Sequence, residues 1–246
     1  RLPVHSLAGI VCFGNVLCTP FLLGLCNEKG VLVSFLTEQG KFLARVAGPV
    51  SGNVLLRREQ IRAADRAEIA LEIARSCIIG KLANCRTVLL RAARDHDKYE
   101  EIKPITDNLA FFIRKSQFCN DIDTLRGYEG EGSKQYFATF NHMILHQKNY
   151  FQMENRNRRP PLDPLNALLS FLYTLLTHDC TAAAEATGLD PQIGFLHKAR
   201  SGRASLALDL MEEFRPMLAD RVALSLINLK QIDGKKFKYT ESGAVL

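Results

Sequence analysis

No two cysteines in this chain are spaced as CxxC, and the seven present, scattered from Cys12 to Cys180, are odd in number. The pattern argues against a thiolate zinc site and predicts buried free thiols in a reducing compartment, hence a cytoplasmic protein. No apolar run approaches the ~20 residues that cross a bilayer, so no membrane association is expected. The start does not read as a signal peptide. A Gly-rich dinucleotide fingerprint is missing, and with it the case for a doubly wound sheet. The HExxH zinc motif is missing too: in "HMILH", His142 and His146 stand i,i+4 with no glutamate between them. The string His178-Asp179-Cys180 is poor triad geometry, because adjacent helical residues point apart.

Basic residues are in excess. The 246 residues carry a formal net charge of +6, which permits a nucleic-acid or other polyanionic partner without requiring one. The length suffices for one large or two small domains. The chain opens on "RLPVHSLAGIVCFG", already strand-like, and closes on "FKYTESGAVL" without an obvious terminator. These ends predict a portion of a longer protein, cut at both termini.

The expected fold class is α+β. Residues 1–56 read as a small N-terminal β-sandwich-like domain, and residues 57–246 as a larger all-α helical catalytic domain. Strand runs at Gly30–Leu36 and Phe42–Val46 flank the turn "TEQG", and "TPFLLGLCNEKG" reads as a short helix closed by Gly30. Beyond residue 56, a long periodic stretch has apolar residues recurring at three and four, among them Ala70, Ile73, Cys77, Ala83 and Val88. A second helical segment is expected to break near Pro104. "LDPLNALLSFLYTLLTHDCTAAAEATG" reads as a strongly apolar central helix followed by another. Before it lies a polar loop with Pro160 and Pro161, which bar helix.

Three constellations carry chemistry. In "RGYEGEG", at the start of a third helical stretch read from "DTLRGYEG" through "SKQYFATFNHMILHQ", each glycine costs roughly 1 kcal/mol inside a helix; a loop with exposed acids is the plain reading, and Glu129 and Glu131 are both candidates. His197 follows "GLDPQIGFL". Asp209 and Glu212 share a helix face beside a leucine-rich stripe. Each has a plain reading as a structural histidine or solvated carboxylates. Taken together they form an oxygen-rich set suited to Mg²⁺ or Mn²⁺. Tyr173 lies on the apolar helix with its hydroxyl as a polar handle. Arg156, Arg158, Arg159, Lys198, Arg200, Arg203 and Arg215 are candidate phosphate contacts near these acids.

The blocks "LRGYEGEGSKQYF" (Leu125–Phe137), "NRRPPLDPLNALLSFLYTLLTHD" (Asn157–Asp179) and "GLDPQIGFLHKARSGRASLALDLMEEFRP" together resemble the CRISPR-associated integrase family, the first of the two universal adaptation proteins. The form of "RRPPLDPLNALLSFLYTLL" resembles the subtype I-C branch. The resemblance implies an N-terminal β domain, a helical C-terminal domain and a homodimer. It also implies a complex with the second adaptation protein, and double-stranded and branched DNA as substrates. The implied reaction is attack of a spacer 3′-hydroxyl on a repeat-boundary phosphodiester, with metal-dependent DNA nuclease activity beside it.

Residue by residue, the family's ligand glutamate matches Glu129, which sets Glu131 aside. The ligand histidine matches His197. Where the family often has D-x-x-D, the chain has Asp209-Leu210-Met211-Glu212, so Glu212 takes the ligand position and Asp209 the supporting one. Asn166, Tyr173 and Arg215 match the family's helix asparagine, tyrosine and basic residue. Two alternatives stay open: a structure-selective endonuclease acting alone, and a non-catalytic DNA-binding scaffold.

Overall fold

Among the described residues up to Val46, the computed structural model holds a 3-10 turn at Val4–Ser6, three short strands and one α-helix. It describes residues 3–245 apart from positions 8, 39, 41, 47–52, 96–98, 158, 159, 241 and 242. Strand β1 (Gly9–Phe13) pairs in parallel with β2 (Leu32–Leu36), and the helix α1 (Pro20–Glu28) makes the crossover between them. Strand β3 (Phe42–Val46) returns antiparallel, giving the sheet order β1-β2-β3. Pro20 and the Thr19 hydroxyl start α1, the hydroxyl accepting from Leu22 N at 3.2 Å. Gly30, at φ 68°, ends it. The turn after β2 closes through Gly40 N donating to Thr37 O at 2.9 Å, with Gly40 at φ 80°. Cys12, Cys26, Val31 and Val33 form the small core beneath the sheet.

Helices fill the remainder. Helix α2 (Val54–Asp65), capped by Asn53, spans residue 56 and leads into the 29-residue α3 (Ala67–Asp95). α3 packs against α4 (Tyr99–Gln117), α5 (Ile122–Thr139) and α7 (Ser205–Phe214). Its buried stripe is Ala74, Ile78, Leu82, Cys85 and Leu89, spaced by three and four. Of the apolar positions read from the sequence, Val88 is buried, whereas Ala70, Ile73, Cys77 and Ala83 are half-buried flanks. α3 is apolar on several faces, and its packing partners decide which one is deepest.

Three local readings are corrected. α4 runs unbroken through Pro104. That proline is only the sixth residue of the helix, so its missing N–H strands one early carbonyl, that of exposed Glu100. The glycines of "RGYEGEG" lie inside α5, as the helix read from "DTLRGYEG" expects, and the loop reading falls. The apolar segment is one continuous helix, α6 (Pro164–Ala186), with Asp163 as N-cap and Pro164 at its first position.

After α7 comes a π-helical turn, Arg215–Asp220, then α8 (Arg221–Asn228) and an antiparallel hairpin of β4 (Lys238–Thr240) and β5 (Gly243–Val245). The observed class is therefore α+β: a mixed sheet, then a predominantly helical body. The sheet docks on α6 through Phe13 against Phe171, ring centroids 5.9 Å apart, and Phe42 stacked on His178 at 4.5 Å. Arg45 also pairs with Glu185 there. His178 is thus occupied at this junction, and burial pushes the Cys180 thiol up to about 11, which closes the thiol-catalysis reading. Among the described residues no helix is long and apolar enough to cross a membrane.

One glycine of α5 is sterically required. A β-carbon on Gly132 would stand 2.5 Å from Leu82 Cδ2 and 3.3 Å from Leu109 Cδ2, whereas Gly127 and Gly130 face open space. Gly132 therefore lets α5 settle on α3 and α4. One turn earlier, that approach brings Glu129 against α3.

Candidate active site

Asp209 is the anchor. It is fully buried on α7, and its carboxylate accepts from Phe195 N at 2.6 Å, Leu196 N at 2.9 Å and His197 N at 3.0 Å. His197 Nδ1 lies 2.6 Å from Asp209 Oδ1. A carboxylate only accepts, so Nδ1 carries the proton. The wrap of residues 194–197 around this carboxylate needs glycine at 194. A β-carbon there would stand 2.7 Å from the Ser205 carbonyl carbon and 2.8 Å from Asp209 Oδ2.

One turn further along α7, Glu212 is 4 % exposed. Arg215 Nη1 donates to Glu212 Oε1 at 2.5 Å, and Lys81 Nζ stands 2.7 Å from Oε2. That second oxygen has no hydrogen bond of acceptable geometry. Lys81 also pairs with Glu129 of α5, whose Oε1 accepts from Ser133 Oγ at 2.8 Å. Burial alone pushes the Glu212 carboxyl up. Lys81 and Arg215 together override it and hold Glu212 down at about 2. Burial likewise depresses the Lys81 ammonium, yet Glu212 and Glu129 outweigh it and raise Lys81 above its ordinary value.

A cavity of about 600 Å³ opens beside this cluster, with Lys81, Glu129, Lys134, Arg156, Tyr173 and Arg215 in its wall. Arg156 lies over the Tyr173 ring at 5.2 Å and Arg215 lies 5.1 Å from the same ring. Asn166 is fully buried and holds the Arg156 segment down. Its Oδ1 accepts from Arg156 Nη1 at 2.6 Å and from Asn157 N at 3.1 Å, while its Nδ2 donates to Asn155 O at 2.9 Å.

The Tyr173 hydroxyl donates to Asp220 Oδ1 at 2.7 Å, and Tyr136 donates to Oδ2 at 3.0 Å. The tyrosine's hydroxyl is therefore committed to Asp220, and its ring faces the cavity. Lys198 and Arg200 are exposed on the loop after His197, with Arg203 half-buried near its end. Arg158 and Arg159 lie outside the described residues. Glu131 is exposed and takes no part in the cluster. Sequence reading missed Lys81 and Asp220. The available signals were a lysine set into the Ile78–Leu82 apolar stripe and an aspartate eight residues beyond Glu212.

Asp220 gives the site a pH signature. Burial lifts its carboxyl to about 6, against the hydrogen bonds from Tyr173 and Tyr136 and the charges of Arg215 and Arg156. A folded-state value above the unfolded one means stability is fully present below about pH 4 and is lost as pH rises through 6. The loss is roughly 3 kcal/mol. Glu212 has the opposite sign: its contribution is present above about pH 4.5 and is lost as pH falls toward 2. Urea midpoints of wild type and Asp220→Asn, taken from pH 4 to 7, separate the two groups. The variant is expected to gain on wild type steadily across that range; a constant difference would contradict the assignment.

Among the described residues, no three His, Cys, Asp or Glu side chains stand close enough together to hold a metal ion. The reason is visible: Lys81 stands between Glu129 and Glu212. The donor set nonetheless fits a hard divalent cation. Two carboxylates face a single positive charge, one of their oxygens lacks a hydrogen bond, and His197, held at Nδ1 by Asp209 one turn from Glu212 on α7, adds an imidazole of the type such sites use.

The arrangement is a mixed sheet followed by a helical body, with the carboxylate–lysine cluster beside a cavity whose wall carries Lys81, Lys134, Arg156 and Arg215. The family model described as "CRISPR associated protein Cas1" matches residues 1–246. The chain belongs to the Cas1 family. It is 52% identical to the CRISPR-associated endonuclease Cas1 1 of Chlorobaculum tepidum, over 100% of this chain and 72% of that protein. A casposase bound to integration product superposes with a TM-score of 0.81 at 26% identity, covering 97% of this chain and 66% of that one. The Cas6-RT-Cas1–Cas2 complex contains a chain that superposes at 0.80 with 26% identity, covering 97% of this chain and 26% of that one.

Proposed function

We propose that this chain is a divalent-metal-dependent DNA integrase that inserts spacer DNA into a CRISPR array. The observation that carries the reading is the meeting of Glu129 and Glu212 on one buried positive charge, beside an imidazole oriented by Asp209. In the reaction a spacer 3′-hydroxyl forms a new P–O bond at the repeat boundary. The existing P–O bond breaks and its oxygen leaves as a hydroxyl, so no water is consumed. Glu129, His197 and Glu212 would hold Mg²⁺ or Mn²⁺, which would stabilise the charge on the transferring phosphoryl group.

The chain's own residues do the rest. Asp209 fixes the His197 tautomer. Arg215, whose buried Nε has no hydrogen-bond partner, and Arg156, held on the Tyr173 ring, grip phosphate at the cavity wall. Tyr173 positions both arginines. Lys198, Arg200 and Arg203, with Arg158 and Arg159, follow the DNA backbone.

Residues 1–56 and 57–246 act as two domains, and α2 carries the chain from one into the other. The branch is subtype I-C, supported by the form of "RRPPLDPLNALLSFLYTLL". The protein works in the cytoplasm as a homodimer with the second adaptation protein on double-stranded and branched DNA. The superposition on a chain of a Cas1–Cas2 complex supports that partner, and the casposase superposition supports integration over simple cleavage.

The test is strand transfer of a 5′-labelled duplex with free 3′-hydroxyls into a repeat-bearing plasmid with Mn²⁺, with and without the second adaptation protein. Label covalently joined to plasmid at the repeat boundary is expected, and chelation should abolish it. Shortened, unjoined DNA alone would mark an endonuclease instead. Salt-sensitive binding without turnover would mark a scaffold.

A further inference from the structure

We infer that Lys81 is a built-in counter-cation that is exchanged for the divalent metal: it holds Glu129 and Glu212 together in the metal-free protein and leaves them when the ion binds. The inference rests on the metal reading above. Lys81 lies on the buried stripe of α3, between Ile78 and Leu82, and is 5 % exposed. An ammonium in such apolar surroundings is tolerated only when paired. Its partners are the two carboxylates assigned to the metal, and Arg215 sits on one of them.

The charges of Lys81, Arg215, Glu129 and Glu212 cancel. A divalent ion added with Lys81 in place would put two further positive charges against an ammonium already touching both ligands. Repulsion at that distance in a buried site is large. Lys81 therefore has to turn away. It already forms part of the cavity wall, so rotation of its flexible stem carries the ammonium into the cavity while its backbone stays on α3. There it faces the place where substrate phosphate enters. Metal loading and phosphate binding then support each other, because each favours the same position of Lys81.

Mn²⁺ titration followed by electron paramagnetic resonance tests this without reference to turnover. A site held closed ten-to-one by Lys81 weakens apparent affinity about tenfold. Lys81→Met is expected to bind Mn²⁺ about tenfold tighter than wild type, with Lys81→Gln between them. Without metal, Lys81→Met should melt about 10 °C lower, its two carboxylates left with Arg215 as their one buried cation, and Mn²⁺ should restore most of the difference. If the methionine variant does not fold without metal, the glutamine variant carries the comparison.

Equal or weaker Mn²⁺ binding in both variants, with wild-type binding still removed by Glu212→Gln, would overturn the role of Lys81 and leave the metal site standing. Absence of any Glu212-dependent Mn²⁺ binding in all three proteins would overturn both.

Discussion

Glu212→Ala is expected to remove strand transfer to at least about 10²–10³-fold below wild type, the order found when one preorganised electrostatic contact to a transition state is deleted. Glu212 joins three elements of the site. It is on α7 one turn from Asp209, it faces Glu129 across Lys81, and it accepts from Arg215. Its removal takes away a proposed metal ligand and frees Arg215 from the geometry that aims it along the Tyr173 ring. Breaking the buried pair also costs ~3–5 kcal/mol of stability. A thermal melt run beside the assay separates loss of chemistry from loss of fold. The neighbouring Glu213→Ala serves as the comparison, because its side chain is exposed. Wild-type transfer rates in a folded Glu212→Ala protein would remove Glu212 from the chemistry.

Asp209→Ala is expected to cost about as much in stability, although Asp209 is not among the proposed ligands. Four donors converge on its carboxylate: three consecutive backbone N–H groups, at 195 to 197, and the His197 ring. Each buried donor left without a partner costs ~1–3 kcal/mol, and water entering the gap recovers part of the sum. A net loss of about 3–5 kcal/mol is expected, which for a chain of this length lowers the melting temperature by ~10 °C. The imidazole also loses the partner that sets its tautomer. Mn²⁺ affinity should fall ~10–100-fold, as for other groups that orient a metal-binding histidine. Denaturant midpoints and Mn²⁺ titration check the two effects separately. Unchanged values in both would mean that the loop at 194–197 is held by something other than this carboxylate.

Much of this site is legible in the sequence. His197, the i,i+3 acids and the glutamate among glycines are all visible as residue types. The family resemblance orders them into ligands and support. Periodicity and capping residues mark the helices, as with Asn53, Asp163 and the Pro164 start of α6. What does not show is long-range. The glycines of "RGYEGEG" argue for a loop by local propensity, but tertiary packing overrides it. Gly132 admits Leu82 and Leu109, while its two companions are tolerated on the open side of α5. Asp209 reads as half of a solvated pair until residues 194–197 are wrapped around it, and only Gly194 hints at so close an approach. Lys81 is the clearest case. Its pairing partners lie 48 and 131 positions along the chain, on helices that meet α3 only after folding.

The most direct measurement is the anomalous scattering of Mn²⁺ in crystals grown at metal concentrations that support turnover. One peak bounded by Glu129, His197 and Glu212, with the Lys81 ammonium turned into the cavity, is the expected result. Mn²⁺ ordered elsewhere on the molecule, with Lys81 still lodged between the two glutamates, would contradict the account.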